Sequence, residues 1–279
     1  MTLPFEHPRP PPSSATLVCD DGEPMESARH RQQMTVLIES LEHAWRERSD
    51  FYVGGNMFLY FSEVQARNND FRGPDVFVVT DTTRRERRAW VVWEEDGRAP
   101  DVIIELLSPK TEAVDRGEKM RIYARSLKVG EYFLYDPFSH VFEGYDLDLR
   151  RQVYVPKAPL ASGQLCCEQL GLLLGKARGT LYAVTTEWLR WFDAEGRLLP
   201  MPSEQANAEQ VRADTAEQRA DEEARRADEE GRRADEEARR ADEEARRADE
   251  EARRAEETRV RLDHALAELE RLERPTRRD

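Results

Sequence analysis

Three charged residues stand at positions that suggest their chemistry: Asp75, Glu105 and Lys119. Glu105 is the one charge in the apolar run VIIELL at residues 102–107. A carboxylate in such a run is costly unless it is paired, hydrogen-bonded or bound to a cation. An ion pair with a nearby Arg or Lys is one way to satisfy it. Asp75 suggests another. It opens the strand-like DVFVV directly after Gly73-Pro74, so it projects from a strand end. If the two strands are neighbours, the carboxylates converge, and at ~4 Å with an effective dielectric near ~20 they repel by ~4 kcal/mol. Such a pair persists with a retained proton or with a cation between the oxygens. Mg2+ (or Mn2+) suits the place, because it takes hard oxygen ligands and keeps several waters. The backbone carbonyl of Leu106 would add a third oxygen. Two carboxylates with a divalent ion suit phosphodiester hydrolysis by an activated water. A lysine would orient that water and offset negative charge as a compact point charge. Lys119 lies one segment later, where Asp115, Lys119 and Tyr123 share a helix face at i, i+4, i+8. The Asp115–Lys119 spacing fits an ordinary surface ion pair equally well.

The elements that must hold these residues follow from periodicity. Residues 27–48 read as an amphipathic helix, with Met34, Leu37, Ile38, Leu41, Ala44 and Trp45 at helical spacing. Strands are expected at 51–53 and 57–61, with Gly54-Gly55 between them as a bulge or turn. Further strands fall at 75–79, 90–93 and 102–107, with Asp96-Gly97 as a hairpin-type turn between the last two. The continuous apolar character of VIIELL predicts a central strand buried on both faces. Ser108-Pro109 stops it. Residues 111–127 read as a helix ended by Gly130. Strands at 131–135, 141–145 and 152–155 follow, then late β-rich or short pieces at 170–174, 181–184 and 188–192. Helix, strands, helix, strands is the order of an α/β or α+β domain with a mixed sheet.

Composition sets bounds on partners. The chain has 279 residues and a net charge of −14. Residues 204–279 hold 26 acidic and 18 basic side chains, which leaves a net −6 on residues 1–203. The globular part therefore lacks the overall basic field of many nucleic-acid binders, although a local basic patch remains compatible with it. No apolar run is long enough to span a membrane. Residues 1–19 read as a disordered Pro-rich arm rather than a signal peptide. The cysteines are Cys19, Cys166 and Cys167, with no CxxC spacing, which fits a reduced, cytoplasmic setting.

The stretches GPDVFVV (73–79), PDVIIELLSPKTEAVDRGEKMRIY (100–123) and GEYFLYDP (130–137) resemble the Uma-two family of restriction-type endonucleases, within the PD-(D/E)xK nuclease superfamily. The similarity spans about residues 20–200. It implies a restriction-endonuclease-like core, a mixed β-sheet flanked by helices, and a Mg2+-dependent endonuclease acting on DNA. Asp75 matches the Asp of the PD motif and Glu105 the acid of (D/E)xK. The chain departs from the superfamily pattern two residues later, where Leu107 stands in place of Lys. Lys119 matches a lysine that the family carries on the following helix. Lys110 is nearer in sequence but occupies a position where the family usually has Ser, and it ranks second. His30 and Glu39 fall where the superfamily sometimes adds a polar group, and a solvated helix face accounts for them as well.

From Ala220 the chain repeats ADEEARR with a period of seven. The alanines form a seam spaced 4–3, which Leu262, Leu266 and Leu269 continue. Residues 204–273 as one helix would span roughly 105 Å. Acid-to-Arg pairs at i, i+4 support an isolated helix, while the seam supports a homo-oligomeric coiled coil, and both readings stay open. Two functions follow: an active endonuclease, or a catalytically degenerate nuclease fold that serves as a binding and assembly module through its C-terminal helix.

Overall fold

The computed structural model describes residues 10–19, 27–67 and 73–272. The chain divides into two compact units, one up to Asn207 and one from Ala208 onward.

The first unit is built on a six-stranded mixed sheet in the order β1-β3-β5-β6-β7-β8. The strands are β1 (Phe51–Gly55), β3 (Val76–Thr80), β5 (Val102–Leu106), β6 (Glu131–Tyr135), β7 (Phe142–Asp148) and β8 (Val153–Pro156). β5 and β6 run parallel, and the other neighbours are antiparallel. A parallel pair needs a crossover, and the helix at residues 112–127 supplies it. The apolar run VIIELL is the third strand, and every residue of β5 is buried.

Strand alternation sorts the side chains onto two faces. Val76, Val78, Val102, Ile104, Leu106, Phe133 and Tyr135 pack with helix α1 (Ala28–Ala44) through Leu37 and Leu41. The same cluster takes in Leu172, Leu174, Leu189 and Trp191 from a second, three-stranded sheet made of β9 (Leu165–Cys167), β10 (Leu172–Leu181) and β11 (Val184–Phe192). Buried Gln33 joins α1 to β11, donating to and accepting from the backbone of Leu189. On the opposite face Phe77, Val79, Ile103, Tyr132 and Leu134 pack with Tyr123 and Leu127 of the crossover helix.

α1 starts where expected, because Ser27 caps it by accepting the His30 N–H. Several expectations change. Gly54 and Gly55 lie inside β1 rather than in a turn, and a β-carbon on Gly54 would overlap the Phe77 ring. The chain turns one residue later, at Asn56, which holds a positive φ. Asp96-Gly97 does form a left-handed turn, but not the hairpin expected between the strands at 90–93 and 102–107. β4 (Trp90–Val91) pairs instead in parallel with β2 (Leu59–Tyr60), because Trp90 is buried against Tyr52 and Phe77. Residues 181–184 are the tight β10–β11 turn, with Tyr182 and Ala183 both left-handed. The crossover helix ends at left-handed Lys128, two residues before Gly130.

Over residues 10–19 the chain is held, unlike the disordered arm expected for 1–19. Trp93 donates its indole N–H to the Pro12 carbonyl, and Tyr60 donates to that of Val18. Residues 1–9 lie outside the described residues. Among the described residues no helix is long and apolar enough to cross a membrane.

The last helix runs Pro202–Leu272. Pro202 suits a first helical position, and Glu204 reaches back to accept the Met201 N–H. From 208 to 269 its side chains are exposed, including Leu262, Leu266 and Leu269.

Candidate active site

The sheet register creates the site. β3 and β5 pair with Val76 opposite Ile104 and Phe77 opposite Ile103. Extended by one residue, that register sets Asp75 opposite Glu105, on the face covered by the crossover helix. The two acids are then tied reciprocally. The Asp75 N–H donates to Oε2 of Glu105 at 3.3 Å, and the Leu106 N–H donates to Oδ2 of Asp75 at 2.7 Å. Each carboxylate is therefore held by the other strand's backbone.

The crossover helix brings the third group. Its segments Glu112–Val114 and Met120–Ile122 are α-helical, while Asp115–Lys119 and Tyr123–Leu127 are wider π-helical turns. Such turns concentrate at functional sites, where they re-aim side chains. Here Asp115, Lys119 and Tyr123 all face Glu105. Lys119 Nζ lies 3.0 Å from Glu105 Oε2 and 2.9 Å from Asp115 Oδ1. Tyr123 donates its hydroxyl to Glu105 Oε1 at 2.9 Å. Tyr132 donates to the Asp115 carbonyl at 2.9 Å and fixes the start of the first π-helical turn.

The charge balance is unequal, with three carboxylates meeting one ammonium. Glu105 is fully buried and Asp115 nearly so. Burial pushes the Glu105 carboxyl up to about 8, against the pull of Lys119, and the neighbouring Asp75 and Asp115 add to the rise. Asp75, half-buried and closely surrounded by protein atoms, is raised for the same reasons, with Lys119 and the Leu106 N–H opposing. Burial disfavours the Lys119 ammonium, but the three carboxylates outweigh it and hold the group above the ordinary lysine range. The Tyr123 hydroxyl is pushed well up by burial and by Glu105, so it stays a donor.

Excess buried negative charge between two adjacent hard-oxygen donors fits a small divalent cation. Among the described residues no three His, Cys, Asp or Glu side chains are placed to enclose one. A backbone carbonyl and water would have to complete the shell, which is the coordination Mg2+ tolerates. The donor set thus fits such an ion, which Asp75 and Glu105 would hold with Leu106 adjoining both.

The remaining candidates separate clearly. Leu107 is buried in the apolar face, so the ammonium comes from Lys119 and not from position 107. Lys110 is exposed in the turn after β5, and Glu39 is exposed on α1. His30 is buried at the edge of the site, with Nε2 3.1 Å from the Leu107 carbonyl and Nδ1 2.8 Å from Ser27 Oγ. Sequence reading placed Asp115 and Tyr123 on the right face but did not reveal what they touch. It missed a further buried acid altogether, outside the site. Glu131, at the start of β6, accepts the N–H groups of Glu168 and Gln169 and pairs with Lys157 at 2.6 Å. Its one signal was an acid opening the apolar run EYFLY. That cluster is internally satisfied and ties β6 to the segment that follows β9.

These observations define a class, a mixed-sheet α/β protein in which a carboxylate at a strand start, a carboxylate within the neighbouring strand and a helix-borne lysine meet at one point. A family model described as "Putative restriction endonuclease", Uma2, matches residues 9–174, and the chain belongs to that family. An uncharacterized protein of Synechocystis sp. is 35% identical over 80 residues, a stretch covering 29% of this chain and 38% of that relative's length. The crystal structure of a "putative nuclease belonging to DUF820" from Anabaena variabilis is similar over 51% of this chain and 80% of its own. It is 15% identical, with a TM-score of 0.35.

Proposed function

We propose that this chain is a divalent-cation-dependent endonuclease that hydrolyses DNA phosphodiester bonds at Asp75, Glu105 and Lys119. The observation that carries this reading is the reciprocal tie between the two carboxylates with the Lys119 ammonium 3.0 Å from one of them. Membership of a family described as restriction endonucleases supports the same chemistry.

In this reading Asp75 and Glu105 hold Mg2+ or Mn2+, with the Leu106 carbonyl as a further oxygen. When bound, the cation supplies an activated water and offsets charge on the scissile phosphate. The chain's own groups do the rest. Tyr123 keeps Glu105 in one rotamer by donating to Oε1. Lys119 places positive charge where a phosphate would gain negative charge, and it can orient the attacking water. His30 fixes the carbonyl of Leu107, one residue beyond Leu106. The apolar face beneath the site keeps the dielectric low, which strengthens each of these interactions.

Nicking of supercoiled plasmid tests the proposal. Wild type with Mg2+ or Mn2+ is expected to cleave, and Asp75→Ala and Glu105→Ala to lose cleavage at least ~100-fold. Equal cleavage by all three overturns the site. A second reading, a degenerate nuclease fold that acts as an assembly module, is favoured by the exposed Leu262, Leu266 and Leu269 on the last helix. Absence of cleavage together with absence of any cation-induced thermal shift would select it.

A further inference from the structure

We infer that Asp115 is a positioning residue for Lys119: the carboxylate that keeps the ammonium in the site once Oε2 of Glu105 is given to a cation. The inference rests on the reading of Asp75 and Glu105 as a cation site.

In the structure the ammonium bridges two acids, 3.0 Å from Glu105 Oε2 and 2.9 Å from Asp115 Oδ1. Oε2 also accepts the Asp75 N–H, so it faces both the partner acid and the lysine. Any cation that takes Oε2 meets a like charge already there, and the two repel strongly at such range. The ammonium must shift, and it needs a counter-charge within reach.

Asp115 has the properties of that counter-charge. It is 1% exposed, and a buried carboxylate requires compensation. Its Oδ1 meets the Lys119 ammonium at 2.9 Å, a charge-assisted contact that persists when Oε2 of Glu105 is given up. The π-helical turn from Asp115 to Lys119 sets the pair, and Tyr132 anchors its start. Lys119 bridges Asp115 and Glu105, and Asp115 takes no part in the tie between Asp75 and Glu105, so its role is to position the lysine and not to ligate.

A double-mutant cycle read by cation-dependent thermal shift tests this on the full chain, with Mn2+ and Mg2+ as probes. Asp115→Asn should raise the cation midpoint by about tenfold, the scale of a lost outer-shell partner. Lys119→Gln should lower the midpoint, because it removes the competing charge. In the Lys119→Gln background Asp115→Asn should change the midpoint less than ~2-fold, since nothing is left to position. Asp115→Glu, which keeps the charge, should retain most of the wild-type response. A tenfold weakening that persists without Lys119 overturns the inference, because Asp115 would then act on the cation directly. An unchanged midpoint in Asp115→Asn overturns it as well. If Asp115→Asn fails to fold, Lys119→Gln alone decides, and a weaker cation response in that variant contradicts the inference. Absence of any shift in wild type removes the cation reading itself, and the inference falls with it.

Discussion

Glu105 concentrates the energetics at the residue scale. Its carboxyl is pushed up to about 8 by burial and by two neighbouring acids. A carboxyl raised in the folded state favours folding fully below its unfolded value and loses that contribution as pH rises through the folded one. The window is therefore about pH 4.5 to 8. Without divalent cations the melting temperature should fall from pH 6 to pH 9, and Glu105→Gln should flatten that slope. Thermal denaturation at both pH values checks it, and an equal slope in the variant would show that the raised carboxyl is not the cause. The same protonation predicts that cation binding strengthens from pH 6 to pH 8, as a bound metal displaces the proton. Tyr123→Phe leaves Glu105 Oε1 without its donor inside the protein. The expected loss is about 1–3 kcal/mol in urea denaturation. A neutral result would mean that water replaces the hydroxyl.

At the scale of elements, the site depends on β3 and β5 being antiparallel and in register. Sequence carried much of this. VIIELL announced a central strand with one charge, and Asp75 followed Gly-Pro at a strand start. What it could not carry was that residues 75 and 105 fall opposite one another, because register is a property of two strands together. The same limit hid the parallel pairing of β2 with β4, although strands were expected over 57–61 and 90–93. It also hid the π-helical turns, which have no residue signature, so the contact of Tyr123 with Glu105 appeared only in three dimensions. Asp115–Lys119 fitted a surface pair and a site pair equally well, because i, i+4 spacing does not reveal which face is covered. Gly54 offers a test of the register's supports. Gly54→Ala pushes against Phe77, two residues from Asp75 on the same strand face, and overpacking of this kind costs about 1–3 kcal/mol. The melting temperature should drop accordingly, and no drop would mean that β1 can move away from β3.

At the scale of the whole chain, the last helix poses a separate question. Its alanine seam is flanked by acids on both sides: with Ala224 and Ala227 as seam positions, Asp228 and Glu230 are the flanking residues, and the repeat preserves this pattern. Two copies paired along the seam would oppose acid with acid, which disfavours them. Within one helix Asp228 instead has Arg232 four residues on, and the outward-facing Glu229 meets Arg233 at 3.5 Å. Past residue 259 the seam becomes Leu262, Leu266 and Leu269. Sedimentation should therefore show weak, concentration-dependent association that Leu262→Asp with Leu266→Asp removes and that Ala238→Asp with Ala245→Asp leaves unchanged. The reverse pattern would place the contact on the repeat.

The central claim is that Asp75 and Glu105 share one divalent cation, and anomalous scattering from crystals soaked in Mn2+ tests it most directly. The account predicts a single peak within about 2.0–2.6 Å of an oxygen from each carboxylate, the range of hard-cation ligands. A peak bound elsewhere in a chain that still cleaves plasmid, or no peak at saturating Mn2+, would contradict it.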